Sequence, residues 1–128
     1  GGYLWKQKTS IETKEPEKVE AKQELPKCFA GICPSYSSMD VDGDGLAESA
    51  VNIPTAMTQG AGKVWIINDN NEIIFDSGIK MRINVYQTKE QIEQSNGFTL
   101  QYGTEVNSTK GVEIKYTYKD GQFMPEGN

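Results

Sequence analysis

Residues Asp40 to Glu48 read DVDGDGLAE, which puts four carboxylates into nine residues. Asp40, Asp42 and Asp44 alternate with Val41 and Gly43, and Glu48 follows four residues on. Like charges this close disfavour ionisation unless a cation lies among them. A hard divalent cation meets that condition, because calcium takes six to eight oxygen ligands in flexible geometry. Counted from Asp40 as position 1, the carboxylates fall at positions 1, 3, 5 and 9. Gly45 falls at position 6, where a calcium loop bends sharply. The expected ligands are the side chains of Asp40, Asp42 and Asp44, the backbone carbonyl of Leu46, and Glu48 directly or through a water. The expected cofactor is Ca²⁺. A solvated Asp/Gly turn is the plain alternative. The regular spacing of all four acids around a glycine favours the ion.

An EF-hand is excluded at its last ligand. That loop needs a bidentate Glu at position 12, and position 12 here is Val51. Neither Tyr36-Ser37-Ser38 before the loop nor Val51-Asn52-Ile53-Pro54 after it reads as helix. The run from Asp40 to about Pro54 instead resembles the calcium loops of FG-GAP (integrin-alpha-type) and VCBS repeats. The resemblance extends loosely to Gly62-Lys63-Val64-Trp65-Ile66-Ile67. It implies an acidic loop joining or preceding β-strands, and a role in adhesion or recognition at a cell surface. Those families repeat the motif to build a propeller, whereas this sequence carries it once.

At 128 residues the chain has room for one domain. Residues 1–27 hold six Lys and five Glu, net +1, so residues 28–128 carry the remaining seven Lys/Arg and thirteen Asp/Glu, net −6. An acidic domain without a basic patch does not suit nucleic acid, which needs clustered Lys and Arg. There is no histidine, which removes the commonest general base and the commonest zinc ligand. Cys28 and Cys33 bracket Phe29-Ala30-Gly31-Ile32, a spacing that is not the C-x-x-C of redox sites. Two thiols without histidine do not complete a Cys/His zinc site. The expectation is a small disulfide loop formed in an oxidising, extracytoplasmic compartment, with free thiols as the alternative.

Residues 6–27 mix Lys and Glu with polar residues, carry Pro16 and Pro26, and hold few apolar side chains. Such a stretch buries too little surface to offset its ordering entropy. Residues 1–27 therefore read as a flexible tether and 28–128 as the folded domain. Gly1-Gly2-Tyr3-Leu4-Trp5 reads as the stub of a removed membrane anchor or signal segment, with packing of the two aromatics on the domain as the alternative.

Beyond Cys28 the signals are β. Ser49 to Ile53 reads as a strand. Lys63–Asn68 and Glu72–Asp76 are rich in β-branched and aromatic residues, with Asp69-Asn70-Asn71 as the turn between them. Both are apolar on both faces, which predicts central strands. Met81–Tyr86, Phe98–Tyr102 and Val112–Lys119 alternate with period two, and Asp120-Gly121 turns the chain into Gln122-Phe123-Met124. Thr88 to Ser95 reads as a short helix, with Thr88 and Gln91 at capping-box spacing. The predicted class is all-β: a small antiparallel sheet or meander of six to seven strands, blade- or sandwich-like.

Trp65, Phe75, Phe98, Tyr116 and Tyr118 read as core rather than a binding groove, given their strand periodicity. Asn107-Ser108-Thr109 fits a glycosylation sequon and is read as a polar turn. Glu90 and Glu93 are read as solvated surface. The leading functional expectation is a non-catalytic, extracytoplasmic calcium-binding domain that engages a protein or glycan partner. A calcium-supported glycan hydrolase is a second class. Asp69, Glu72, Asp76, Glu105 and Glu113 supply carboxylates for it, none within a motif. A subunit of a larger surface assembly, such as a pilus, is the third.

Overall fold

The computed structural model describes residues 25–55, 60–106 and 108–126. Most of the expected tether, the Gly1–Trp5 stub and Asn107 of the sequon lie outside these residues. The described chain is all-β, with eight strands and one short helix: β1 (Ser35–Met39), β2 (Glu48–Pro54), β3 (Gly62–Ile67), β4 (Ile73–Asp76), β5 (Met81–Tyr86), α1 (Lys89–Gln94), β6 (Phe98–Gly103), β7 (Gly111–Lys119) and β8 (Gln122–Pro125). They form two four-stranded sheets in the orders β1-β2-β3-β4 and β5-β6-β7-β8. Every pairing is antiparallel and joins neighbours in the sequence.

The sheets share one core. Met39, Val41, Ala50, Val64 and Ile66 from the first half meet Ile83, Val85, Phe98 and Leu100 from the second. Phe98, with no exposed surface, lies at its centre. It stacks on Tyr116 at 5.1 Å and meets Phe75 and Phe123 edge-on at 4.8 and 5.2 Å. Edge-on and offset contacts of this kind add to the area that aromatic rings bury. A smaller cluster, Val51, Ile53 and Ile67 with Trp65 and Ile73, packs on the first sheet. The expectation that these aromatics are core therefore holds for Phe75, Phe98 and Tyr116, while Trp65 joins the smaller cluster and Tyr118 packs on Phe123 at 5.1 Å.

Local signals act as their chemistry requires. The Thr88 side chain accepts from the N–H of Gln91, and the Gln91 side chain accepts from the N–H of Thr88, closing the capping box of α1. Asn68 Oδ1 accepts from the N–H groups of Asn70 and Glu72, which shapes the β3–β4 turn. Gly97 allows the turn after α1 to lie against β7. Its φ is +81, and a Cβ there would come within 2.0 Å of the Tyr116 carbonyl oxygen.

Two expectations are corrected. β4 is not central: it is an edge of the first sheet, and Ile73, Ile74 and Phe75 are half-buried. Its apolar character reflects contact with both clusters, Ile73 with the smaller and Ile74 and Phe75 with the main core. Burial on two faces does not require a neighbour on two edges. The strand count is eight rather than six or seven because Ser35–Met39 forms a strand with no apolar alternation; four of its five residues are exposed.

Removing the Phe98 ring empties the centre of the shared core. Phe98→Ala is expected to cost about 3–5 kcal/mol, read as a lowered midpoint in urea denaturation. A loss below about 1 kcal/mol would contradict this account of the core.

Candidate metal centre

The acidic loop is the connection between β1 and β2, an antiparallel pair whose register sets Met39 opposite Glu48. Hairpin pairing thus brings the two ends of the acidic run together. Val41 is fully buried and belongs to the shared core, so it pins the loop between Asp40 and Asp42. Glu48, the first residue of β2, is 2% exposed, and its Oε1 accepts from the Val41 N–H at 2.9 Å. One oxygen from each of Asp40, Asp42, Asp44 and Glu48 lies within 4.8 Å of the others.

The loop backbone is wound around these carboxylates. Asp40 Oδ1 and Oδ2 accept from the N–H groups of Gly43 and Gly45, both at 3.0 Å. Asp42 Oδ1 accepts from Asp44 N–H at 3.2 Å, and Asp44 Oδ1 from Leu46 N–H at 2.9 Å. Gly43 and Gly45 take φ of +77 and +84, where glycine carries no steric cost. The bend expected at Gly45 is therefore present. Leu46 lies in the loop with its side chain half-exposed and its N–H on Asp44.

A second layer holds the loop from the segment between β5 and β6, and no motif or periodicity marks it in the sequence. Gln87 Nε2 donates to the carbonyls of Asp40 at 3.0 Å and Gly97 at 2.9 Å. The N–H of Gly97 donates to the Val41 carbonyl at 2.8 Å, and Asp42 and Asn96 form an isolated bridge. The Asn96 side chain in turn clasps Tyr118, accepting from its N–H at 2.8 Å and donating to its carbonyl at 3.2 Å.

Electrostatics set the chemistry. Each carboxylate pair at this distance costs about 1 kcal/mol even in the dielectric of water. Burial is the main reason the Asp42 carboxyl lies above its ordinary value; the side chain of Asp44 and the charge of Asp40 push the same way, and the Asp44 N–H opposes them. Burial likewise raises Glu48, followed by the charges of Asp42, Asp44 and Asp40, against the pull of the Val41 N–H. Four hard oxygen donors with no nitrogen or sulfur suit calcium, magnesium or manganese rather than zinc or copper.

Among the described residues, the acids expected for a hydrolase form no second cluster of three or more. A cleft of about 420 Å³ is lined by Arg82, Gln101, Lys110 and Glu113 among others, and Glu113 is its one carboxylate among the described lining residues. That carboxylate accepts from the Tyr86 hydroxyl and the Gln101 amide. These bonds, Tyr86 first, hold it below its ordinary value.

Cys28 and Cys33 form a disulfide, as expected. It closes a tight turn in which Phe29 and Ile32 exchange backbone hydrogen bonds at 2.7 and 2.8 Å. Both side chains are exposed. Among the described residues no helix is long and apolar enough to cross a membrane. No known protein family, curated protein or solved structure matches the chain.

The raised Asp42 and Glu48 carboxyls give a signed pH dependence. Above their unfolded values, near 3.8 and 4.5, the folded state holds more protons than the unfolded one, so stability falls as pH rises through the folded values. In chelator, the parent should lose stability from about pH 4 upward relative to an Asp42→Asn/Glu48→Gln variant. That comparison cancels the opposite slope from Glu113, whose lowered pKa adds stability at higher pH. Thermal melts across pH 4–7 check it, and parallel curves for the two proteins would contradict it.

Proposed function

We propose that this chain is a non-catalytic, extracytoplasmic β-domain whose acidic loop binds calcium as a structural ion, and that it serves as a surface-associated binding or interaction module. The observation that carries the reading is the convergence of Asp40, Asp42, Asp44 and Glu48 within 4.8 Å at one hairpin. The residues fit the ion: all donors are oxygens, and the loop turns through two glycines at positive φ. The Leu46 carbonyl is the proposed backbone ligand. Calcium is preferred over magnesium because a winding loop with many oxygens suits high, flexible coordination, whereas magnesium demands near-ideal octahedral geometry and keeps its waters.

Bound calcium neutralises the four carboxylates and removes the repulsion that lifts Asp42 and Glu48. It thereby fixes the loop between β1 and β2. Extracellular modules bind calcium at about 10⁻⁴–10⁻³ M, which suits permanent bracing better than switching. The disulfide supports an oxidising location. The likeness of the loop to FG-GAP and VCBS repeats supports recognition of a protein or glycan at a surface. Exposed Phe29 and Ile32, held on the disulfide turn, offer apolar contact at low ordering cost.

Thermal unfolding in EDTA and in millimolar calcium tests the reading, beside Asp42→Ala/Asp44→Ala. At free calcium 100-fold above Kd the parent gains about 2.7 kcal/mol, a rise in Tm on the order of 10 °C. The variant should gain nothing. Equal melting of the parent in both buffers would reduce the loop to an acidic turn and remove the main support for the function.

A further inference from the structure

The two sheets differ on the faces they turn away from the shared core. In the second sheet the register sets Asn84, Thr99, Gln101, Glu113 and Lys115 on the outer face. All are polar, as suits the wet face of an antiparallel sheet, and α1 lies on that face, where Gln91 accepts from the Thr99 hydroxyl. The outer face of the first sheet is apolar. Val51 of β2 lies opposite Trp65 of β3, and Ile67 of β3 opposite Ile73 of β4. With Ile53 they form the smaller cluster. Val51, Ile53 and Ile67 are 0%, 6% and 5% exposed within a single chain. Neighbours in the same layer shield the flanks of a side chain and leave its tip open. These tips are therefore covered from above, and by this chain itself. The Trp65 indole N–H is buried there without an acceptor among the described residues, although a buried Trp N–H ordinarily has one.

The described residues do not supply that cover. α1 sits on the other sheet, and both Lys27–Cys33 and the tip of the β3–β4 turn, Asp69 and Asn70, are exposed. The β2–β3 connection is pinned by the bond from Thr55 N–H to the Ala61 carbonyl. It lies at the Ile53 end, four residues from the position opposite Ile67, about 13 Å at ~3.3 Å per residue. The chain long enough for the task is residues 1–24. They join through Leu25 and the disulfide turn to β1, the edge strand beside β2. Twenty-four residues span up to about 80 Å, so the whole face is within reach. Tyr3-Leu4-Trp5 is their one apolar run, and their other apolar residues stand singly among Lys and Glu. Residues 1–14 hold three Lys and one Glu, net +2, against −6 for residues 28–128.

We propose that residues 1–24 fold back over the outer face of the first sheet and seat Tyr3, Leu4 and Trp5 on Val51, Ile53 and Ile67, as a third layer on the sandwich. The segment brings backbone carbonyls and five glutamates as acceptors for the Trp65 N–H. The domain of a second copy is a poor substitute, because it carries the same net negative charge. The acidic loop takes no part: Val41 anchors it in the shared core, on the opposite face of the sheet.

NMR of the full chain tests the proposal. Methyl protons of Val51, Ile53 and Ile67 should show NOEs to the rings of Tyr3 and Trp5 and to the Leu4 methyls. A soluble gadolinium chelate should relax those three residues as slowly as Val64 and Leu100 of the shared core. In Leu4→Lys/Trp5→Lys the NOEs should be lost, and the chelate should relax the three residues as fast as the exposed Ile79 and Ile92. Val64 and Leu100 should stay shielded, which reports that the domain is folded. If that variant unfolds, the NOEs of the parent decide alone. Fast relaxation of the three residues in the parent overturns the proposal, because the face is then open. NOEs to residues outside 1–24 also overturn it, as do NOEs found only between isotopically labelled and unlabelled copies, which assign the cover to another molecule. A folded variant that keeps the three residues shielded overturns it as well.

Discussion

A carboxylate that is almost wholly buried needs a donor, and Glu48 finds one in the N–H of Val41. Much of the molecule is arranged around that bond. It joins the residue that opens β2 to the residue that anchors the preceding loop in the core, so the hairpin closes at its base and the acidic run is confined between its ends. Val41 adds the apolar half of the constraint. Its side chain is sealed in the core while Asp40 and Asp42, on either side, face the other carboxylates. The alternation that reads in the sequence as a ligand spacing is therefore also a packing device.

The loop is tied to both halves of the fold. β1 and β2 hold it by their register, while Gln87, Asn96 and Gly97 reach it from the segment between β5 and β6. Asn96 carries the connection on to Tyr118 of β7. Charge relief at the carboxylates is consequently felt in the contact between the sheets, and not only in one hairpin. This suits an ion that braces the domain. Without a cation, repulsion among the carboxylates works against the closure that the hydrogen bonds impose.

Much of this was legible in the sequence because the signals were local. Spacing exposed the carboxylate cluster, two cysteines five residues apart paired, and Thr88 with Gln91 capped the helix. The alternating apolar residues of β5, β6 and β7 gave their strands. What was illegible depended on tertiary placement. β1 has no apolar face to announce it, since an edge strand can remain exposed on both sides. β4 read as central because apolar side chains on two faces look the same whether the strand has one neighbour or two. Gln87 and Asn96 support the loop through hydrogen bonds to backbone groups far away in the chain. Such contacts leave no periodicity and no motif.

Strand order equals chain order in each sheet, and this bears on how the chain reaches its fold. Each strand pairs with one already adjacent to it in sequence, so most pairings close short loops at small entropic cost. The exception is the docking of the two meanders, which brings Val41 and Ile66 onto Phe98 and Leu100. Topologies dominated by local contacts fold faster than those built on distant pairings. For this chain, hairpins are expected to form early, and the shared aromatic core is the late, cooperative step that commits the domain.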